Sequence, residues 1–261
     1  MAARDEETSV GRAIESILAQ TVASWELVLV DDGSRDGTAD VARSYRDERV
    51  RVLRTGPRGL PAALNTGLAV ARAPVVARQD ADDVSLPHRL ERQLDVLARR
   101  PEVTVVAAAW RELDAAFRPV RPRTGLVTGE VNAVLHRFNP VVHSTAAFRR
   151  DAILALGGYD ERLPYAADYD LWLRVVRAGG LIWIDEEELA VRVMSGVNMS
   201  GGHERSHLLE ELRVRARDVR ARRAAGERVA PSLVALARRV PMLAVPVAVR
   251  RRVRARRGQA P

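Results

Sequence analysis

Apolar residues in the first 110 positions follow two periodicities, which together predict alternating helices and strands. Val10, Ile14 and Ile17 recur at helical spacing, and Thr8 before them is a suitable N-cap. Residues 25–30 are apolar except for one glutamate, which predicts a buried strand. Further strands are predicted at 50–53, 74–78 and 103–108, and further helices are predicted to begin near Thr38, Pro61 and Pro87. This alternation is typical of an α/β fold with a mostly parallel sheet and helices on both faces.

The pattern beyond residue 110 is coarser. It predicts a strand at 140–148, a helix at 168–178 that two glycines terminate, and a short strand at 181–184. After Gly201 and Gly202 the composition changes to Arg, Leu, Val and Ala. We therefore predict a catalytic domain at residues 1–202 and a basic helical tail at residues 203–261.

Charge and composition exclude several classes of chemistry. The net charge is +8, and 16 arginines but only five acidic residues follow residue 203, so the tail carries the whole positive excess. The chain contains no cysteine, which excludes thiolate nucleophiles and Cys-ligated metals. It contains no lysine either, so a Walker A loop and Schiff-base chemistry are excluded.

The ends of the chain give no sign of a secretory or membrane-spanning segment. The first residues are polar and run into amphipathic sequence, and the apolar stretch at 240–249 is short and contains two prolines. We expect a protein that is cytoplasmic and either soluble or peripheral to the membrane.

Two acidic clusters follow predicted strands, at Asp31–Asp32 and at Asp80–Asp83. In parallel sheets ligands bind beyond the carboxyl ends of the strands. Asp80 and Asp82 are two positions apart, so their carboxylates can point the same way and hold a hard cation. A polar turn with an Asx cap would give the same pattern. Asp32 could likewise bind a base or ribose, or simply belong to a turn.

Two further motifs are candidates for chemistry near the predicted helices. Asp168 stands at the start of the helix 168–178, where it could act as a general base or as an N-cap. His203, Glu204 and His207 fit the zinc-peptidase pattern H-E-x-x-H. The density of arginine around that motif disfavours a zinc site, because arginine repels cations.

The chain resembles the family-two glycosyltransferases of the Rossmann-like GT-A fold. The resemblance covers residues 1 to about 200, and its specificity comes from eight motifs that occur in order. These motifs are residues 13–21, 25–34, 59–67, 77–83, 86–89, 143–145, 157–161 and 167–174.

The resemblance implies a nucleotide-sugar site whose residues are named here by their position in this chain. Asp32 resembles the carboxylate that holds the nucleotide base. Asp80 and Asp82 resemble the site for Mg²⁺ or Mn²⁺ and the donor diphosphate. Asn65 and Arg78 resemble pocket residues beside the donor. The implied activity is an inverting, metal-dependent transfer of a sugar to a hydroxyl of a glycan or a lipid-linked glycan.

Asp168 resembles the catalytic base of the family, which accepts the proton of the acceptor hydroxyl. Many relatives carry an acidic residue before this base, whereas this chain has Ala167. The reaction needs no covalent intermediate, which agrees with a chain that lacks an obvious nucleophile motif.

The start of the chain departs from the family. Relatives usually begin with an apolar strand, and residues 1–5 resemble only the end of it. The first strand is therefore expected to be missing, leaving a gap of about 4.8 Å on each side for its neighbours to close. Either translation starts upstream of Met1 or the chain is a damaged paralogue. We favour an upstream start, which predicts about 6–10 apolar residues before Met1.

Other functions remain open at this point. A nucleotidyltransferase also pairs carboxylates with a metal on a nucleotide-binding sheet. A non-catalytic paralogue would leave the basic tail as the working part of the molecule. The tail itself suits either an anionic membrane surface or a solvated helix packed on the domain. Nucleic acid is disfavoured, because no aromatic residue lies in the tail to stack on bases.

Overall fold

The computed structural model describes residues 1–114, 116–120, 127–194 and 204–243, and it has the predicted α/β fold. Elements predicted in the first 100 residues lie within about two residues of the observed ones. The helices are α1 (Val10–Leu18), α2 (Thr38–Ser44), α3 (Leu60–Val70), α4 (Arg89–Arg99), α5 (Asn132–Leu135), α6 (Arg150–Ala155), α7 (Ala167–Arg177), α8 (Glu204–Ala224) and α9 (Ala230–Arg239). The strands are β1 (Ala2–Ala3), β2 (Leu27–Asp31), β3 (Val50–Arg54), β4 (Val75–Ala77), β5 (Val84–Ser85), β6 (Val103–Asp114), β7 (Gly129–Glu130), β8 (Ala147–Arg149) and β9 (Leu181–Met194).

The first sheet is parallel and has the order β1-β2-β3. All five residues of β2 are buried, because helices cover both faces of this strand. Leu29 packs with Ile14 of α1 on one face, and Val30 packs with Ala63 of α3 on the other. The continuous apolar run of β2 therefore reflects a strand with two covered faces.

The second sheet is mixed, with the order β4-β8-β6-β9-β5, and β7 pairs with β9. Strands β6 and β9 are parallel and extend well beyond the predicted segments 103–108 and 181–184. The ladder continues past a bulge at Ala108 and Ala109, so charged residues after the apolar runs remain in the strands. Trp172 of α7 is fully buried against Phe148 of β8 and anchors this helix to the sheet.

The expectation that the first strand is missing needs correction. Its last two residues are present as β1, which joins the two sheets at one end. Ala2 pairs with Val30 of β2 on one side and forms a parallel bridge with Asp80 on the other. The strand is therefore short rather than absent, and its residues are those that lie next to the acidic clusters.

The strands on either side of β1 were expected to close the gap left by a missing first strand, and they do not close it. A cavity of about 310 Å³ lies between β2 and β4, and Val28 and Val76 are among its lining residues. The amino group of Met1 lies at one end and donates a 2.9 Å hydrogen bond to the carbonyl oxygen of Val28. On their other sides β2 pairs with β3 and β4 pairs with β8.

The prediction of a strand at residues 140–148 is mostly wrong. Only Ala147–Arg149 forms a strand, and His143–Thr145 forms a 3-10 turn before it. The backbone N–H and the hydroxyl of Thr145 both bond the carbonyl oxygen of Val142, at 3.0 and 2.9 Å. This local pairing replaces a strand ladder.

The described part of the predicted tail is helical, and α8 packs closely on the domain. Val214 belongs to the main hydrophobic core. The buried carboxylate of Asp218 pairs with Arg177 of α7 at 2.7 Å and with His136 at 3.3 Å. The division at residue 202 stays a prediction, and residues 244–261 of the tail lie outside the described residues.

Candidate active site

The two acidic clusters lie on opposite sides of β1. Asp31 and Asp32 end β2, and Asp80 follows β4. The pairing of Ala2 with Val30 and with Asp80 brings these two strand ends together. The carboxyl ends of adjacent parallel segments thus form one edge at which a ligand can bind.

Asp80, Asp82 and Asp83 form a compact carboxylate cluster. One oxygen from each of the three lies within 4.8 Å of the others. Oδ2 of Asp83 is buried, lies 3.8 Å from Nε of Arg192, and accepts no hydrogen bond within the described part of the chain. Clustered carboxylate oxygens with an unmatched acceptor fit a hard divalent cation such as Mg²⁺ or Mn²⁺, which binds oxygen ligands.

The same cluster has perturbed acidity. Burial raises the pKa of Asp82 to about 6, and the charges of Asp80 and Glu6 add to this effect. Burial also raises the pKa of Asp83 to about 7, with a further increase from Asp80 and a decrease from Arg192. Both carboxylates are therefore costly to ionise, chiefly through burial and further through the neighbouring negative charges, and a bound cation relieves this cost.

A buried network fixes the loop that carries the cluster. The side-chain amide of Gln79 donates to the carbonyl oxygen of Asp83 at 2.8 Å. Its own carbonyl oxygen accepts bonds from Ser85 at 2.6 Å and Arg89 at 2.8 Å. Arg89 also donates to the carbonyl oxygen of Arg78 at 2.7 Å, and burial lowers the pKa of its guanidinium to about 10. The carboxylates therefore stand on a pre-organised loop.

Arg78 supplies a buried positive charge at the centre of the site. It is 4% exposed and forms an ion pair with Asp80. Burial is the largest single effect and lowers the pKa of this guanidinium, but the charge and hydrogen bond of Asp80 together with the charge of Asp83 produce a net upward shift. Its Nε has no hydrogen-bond partner within the described residues. An unmatched, buried guanidinium N–H beside a strand end suits an anionic ligand such as a diphosphate.

Asp32 is buried and holds the backbone of the next loop. Its Oδ1 accepts the N–H of Arg58 and its Oδ2 accepts the N–H of Gly59, each at 2.8 Å. A carboxylate has about four lone-pair sites, so Asp32 can still accept a bond from a ligand. Its predicted contact with a nucleotide base stays a prediction.

Asn65 joins α3 to the loop that precedes α7. Its amide nitrogen donates to the carbonyl oxygen of Tyr159 at 2.9 Å, and its carbonyl oxygen accepts the N–H of Tyr159 at 2.8 Å. The same nitrogen also contacts Glu161 at 3.1 Å. Because both polar atoms bond the protein itself, Asn65 acts on the site through this loop in the structure as it stands. Its predicted position beside the donor stays a prediction.

Asp168 lies in the first turn of α7 and is partly exposed. The side-chain amide of Asn139 donates to its Oδ2 at 3.0 Å. Burial raises the pKa of Asp168, whereas the N–H of Tyr169 and the charges of His207 and Arg78 oppose the increase. Asp168 is thus a hydrogen-bonded carboxylate within reach of the charge of Arg78, and its role as a general base stays a prediction.

Glu210 of α8 fixes the start of the helix that carries Asp168. Its Oε2 accepts the backbone N–H groups of Tyr165 at 2.8 Å and Ala166 at 3.1 Å. A carboxylate at this position satisfies N–H groups that a helix leaves unpaired at its N-terminus. Helix α8 therefore positions Asp168 indirectly, through the start of α7.

Sequence reasoning missed the residues that support the predicted site. Gln79, Arg89, Asn139 and Glu210 were not predicted to have a role. Gln79 lies in the recognised motif 77–83 and Arg89 in the recognised motif 86–89, and these were the available signals. In the zinc-like motif, His203 lies outside the described residues, and the described residue His207 interacts electrostatically with Asp168.

Comparisons with known proteins identify the family and the fold. The family described as Glycosyl transferase family 2 matches residues 1–157. The amylovoran biosynthesis glycosyltransferase AmsE of Erwinia amylovora is 31% identical over 199 residues, which cover 75% of this chain and 74% of that protein. The putative glycosyltransferase EpsE of Bacillus subtilis is 34% identical over 186 residues, which cover 66% of this chain and 64% of that protein.

A solved structure shows the same fold. Residues 1–349 of S. aureus TarS in complex with UDP-GlcNAc superpose with a TM-score of 0.69 at 16% sequence identity. The match covers 84% of this chain and 64% of the TarS chain. This chain therefore spans about two thirds of the length of these two proteins, EpsE and TarS.

Proposed function

Because this chain belongs to glycosyl transferase family 2, we propose that it transfers a sugar from a nucleotide-diphosphate donor to an acceptor hydroxyl. The observation that carries the proposal is the cluster of Arg78 with Asp80, Asp82 and Asp83 beside the end of β1. The buried guanidinium of Arg78 supports binding of an anionic ligand, and the three clustered carboxylates support binding of a metal ion.

Asp80 and Asp82 would hold Mg²⁺ or Mn²⁺, with Asp83 adding negative charge behind them. When bound, such an ion neutralises charge on a departing diphosphate. The positively charged guanidinium of Arg78 binds the negatively charged diphosphate. The buried hydrogen-bond network of Gln79 and Arg89 holds the loop that carries the carboxylates in one arrangement. Metal dependence is part of this proposal.

Asp32 and Asn65 complete the donor pocket in this proposal. Asp32 binds the nucleotide base with the lone pairs that Arg58 and Gly59 leave free. Asn65 holds the loop at Tyr159 against α3, which keeps one wall of the pocket in position. TarS was solved with UDP-GlcNAc, and a nucleoside diphosphate sugar is the donor class that we propose for this chain.

Asp168 is the proposed catalytic base in an inverting displacement. The proton of the acceptor hydroxyl passes to the Asp168 carboxylate as the acceptor oxygen bonds the anomeric carbon. The bond from that carbon to the diphosphate oxygen breaks on the opposite face, and its electron pair leaves with the nucleoside diphosphate. General-base assistance of this kind is typically worth about 10²–10⁴-fold in rate. Asn139 orients the Asp168 carboxylate for this transfer.

The acceptor that we propose is a glycan or a lipid-linked glycan of the cell envelope. Relatives are named for amylovoran biosynthesis and for O-antigen biosynthesis, the latter being WbnJ of Escherichia coli, 29% identical over 181 residues. No described helix is long and apolar enough to cross a membrane. We propose that the chain acts in the cytoplasm, peripheral to the inner face of the cell membrane.

A turnover assay tests the proposal. The full chain is incubated with a panel of nucleotide sugars, Mn²⁺ and candidate acceptors, and the released nucleotide and the anomeric configuration of the product are identified. Release of a nucleoside diphosphate with inverted configuration supports the proposal. A parallel reaction supplies a nucleoside triphosphate and a sugar 1-phosphate, and release of pyrophosphate there would indicate a nucleotidyltransferase instead. A chain that binds donor without turning it over would be a non-catalytic paralogue.

A further inference from the structure

Helix α9 exposes its apolar side chains to solvent. Leu233, Val234 and Val240 are 47%, 52% and 51% exposed, and Ala237 and Pro241 are exposed as well. The spacing of these five positions places them on one face of the helix and of the 3-10 turn that continues it. A surface helix normally turns such a face toward a core, so this one is available to a partner.

The opposite face of α9 is fixed to α8. Nη1 of Arg222 donates a 2.8 Å hydrogen bond to the buried hydroxyl of Ser232. Arg239 pairs with Glu211 of α8 at 3.3 Å. These contacts hold α9 in one orientation, with its apolar face pointing away from α8.

Arginines border the apolar face. A shallow groove of about 800 Å³ runs beside it and is lined by Arg137, Arg238 and Arg239 and by apolar residues of α9, without an acidic side chain from the described residues. Arg228 is exposed at the turn before the helix. Arg137, Arg228 and Arg238 form no ion pair with any described residue. The guanidinium groups around the face are therefore open to an external anion.

We propose that this surface, formed by the five apolar positions and by Arg137, Arg228 and Arg238, docks on an anionic lipid bilayer. Apolar side chains would enter the headgroup boundary while the guanidinium groups contact lipid phosphates. The extent of the charge favours a bilayer over a small ligand. No acidic residue follows Glu227, and six more arginines lie between residues 250 and 257.

The docking surface is connected to the proposed catalytic base by a short segment. Arg137 borders the groove, and Asn139, two residues later, donates to Asp168. A bilayer bound at α9 would thus present a membrane-borne acceptor close to Asp168. This use of the surface rests on the proposed function, whereas lipid binding itself does not.

Co-sedimentation of the full chain with vesicles tests the inference. Wild type should pellet with vesicles of equal parts phosphatidylcholine and phosphatidylglycerol, remain in solution with phosphatidylcholine alone, and be released by high salt. Each arginine near an anionic surface strengthens binding about fivefold, so Arg228→Gln with Arg238→Gln should weaken it about thirtyfold. Leu233→Gln with Val240→Gln should weaken it by at least as much.

Two matched pairs of substitutions outside the docking surface control for the loss of positive charge and for the loss of exposed apolar side chains. Arg43→Gln with Arg46→Gln removes the same charge from the end of α2. Leu94→Gln with Leu154→Gln changes two leucines that are 38% and 37% exposed on α4 and α6. Both control pairs should bind vesicles as wild type does, and every variant should cleave donor in vesicle-free solution at the wild-type rate.

Three results would overturn the inference. The first is a wild-type chain that stays in solution with anionic vesicles. The second is equal binding by the α9 variants and wild type, which would assign the interaction to residues 250–257. The third is a wild-type chain that forms a dimer in analytical ultracentrifugation, together with a Leu233→Gln, Val240→Gln variant that is monomeric but binds vesicles as wild type does. Loss of donor cleavage in wild type would count against the proposed function and leave lipid binding intact.

Discussion

The side-chain amide of Asn139 donates a 3.0 Å hydrogen bond to Oδ2 of Asp168. This bond stabilises the ionised carboxylate, so it lowers the pKa of Asp168 against the upward effect of burial. Asn139 comes from the segment after α5, and Asp168 comes from α7. The two residues are 29 positions apart, and their contact depends on the packing of α5 and α7.

We predict that Asn139→Ala shifts the pH dependence of turnover. Without the hydrogen bond the pKa of Asp168 rises, so the acidic limb of kcat/KM should move to higher pH by up to about one unit. Donor affinity should stay unchanged. Asn132→Ala is the matched control, because Asn132 bonds the backbone of Gly180 and Ile182 and should leave the profile where it is. An unshifted profile in Asn139→Ala would remove Asn139 from the account.

We predict that Glu210→Ala reduces both stability and turnover. The N–H groups of Tyr165 and Ala166 lose their acceptor, and loss of a helix cap typically costs about 0.5–2 kcal/mol in the free energy of unfolding. The first turn of α7 should loosen and move Asp168, so kcat should fall more than donor affinity. Glu211→Ala, which breaks ion pairs with Arg215 and Arg239, should lower stability while kcat is retained. Equal kcat in the two variants would contradict the positioning role.

We predict that Asp82 and Asp83 make the metal-free protein progressively less stable as the pH rises from about 4 to about 7. This effect opposes the contributions of His143 and the Met1 amino group, whose pKa values are lowered by burial. The folded pKa values of Asp82 and Asp83 are raised from 3.8 to about 6 and about 7. The folded state therefore binds more protons than the unfolded state in this window, and stability present below pH 4 is lost as the pH rises through the folded values. Thermal denaturation at a series of pH values measures this trend.

Asp83→Asn isolates the contribution of the cluster. It should raise Tm by several degrees at pH 8 in the absence of divalent ions and have little effect near pH 4, where the carboxyls are protonated. Asp151→Asn, at a side chain that is 89% exposed, should give no such pH-dependent gain. A gain in Tm that is independent of pH would show that charge crowding is not its cause.

Strand β2 could be predicted from its run of apolar residues. A strand that is covered on both faces is apparent from its own apolar sequence, without information about distant residues. The extensions of β6 and β9 were not predictable in this way. Arg111 and Glu112 interrupt the apolar pattern, yet they pair with Val191 and Arg192 across the ladder. The strand at 140–148 was predicted wrongly because a turn at Thr145 and an apolar strand share the same composition.

Within the site, strand ends with clustered aspartates could be located from the sequence. The residues that hold them could not. Gln79 contacts Arg89, ten positions away, and Glu210 contacts Tyr165, 45 positions away. No local pattern of hydrophobicity or charge encodes such contacts, since they depend on how α4 and α8 pack.

We predict that the cavity beside β1 accepts an engineered strand. Four alternating valine and isoleucine residues added before Met1 would run alongside Val28 and extend the parallel pairing of Ala2 with Val30. Burial of each such side chain contributes at most about 1.5–3 kcal/mol, so Tm should rise by several degrees. An extension of four Gly and Ser residues is the control. Equal Tm values for the two extended chains would show that the cavity does not take a strand.

The central claim is that the cluster at Arg78, Asp80 and Asp82 binds a nucleotide-sugar donor. Calorimetric titration of the full chain with a panel of nucleotide sugars in Mn²⁺ tests it most directly. We predict that at least one donor binds, that Asp82→Asn or a chelator abolishes this binding, and that Asp168→Asn preserves it. A chain that binds none of the donors, or that binds one equally well after Asp82→Asn, would contradict the claim.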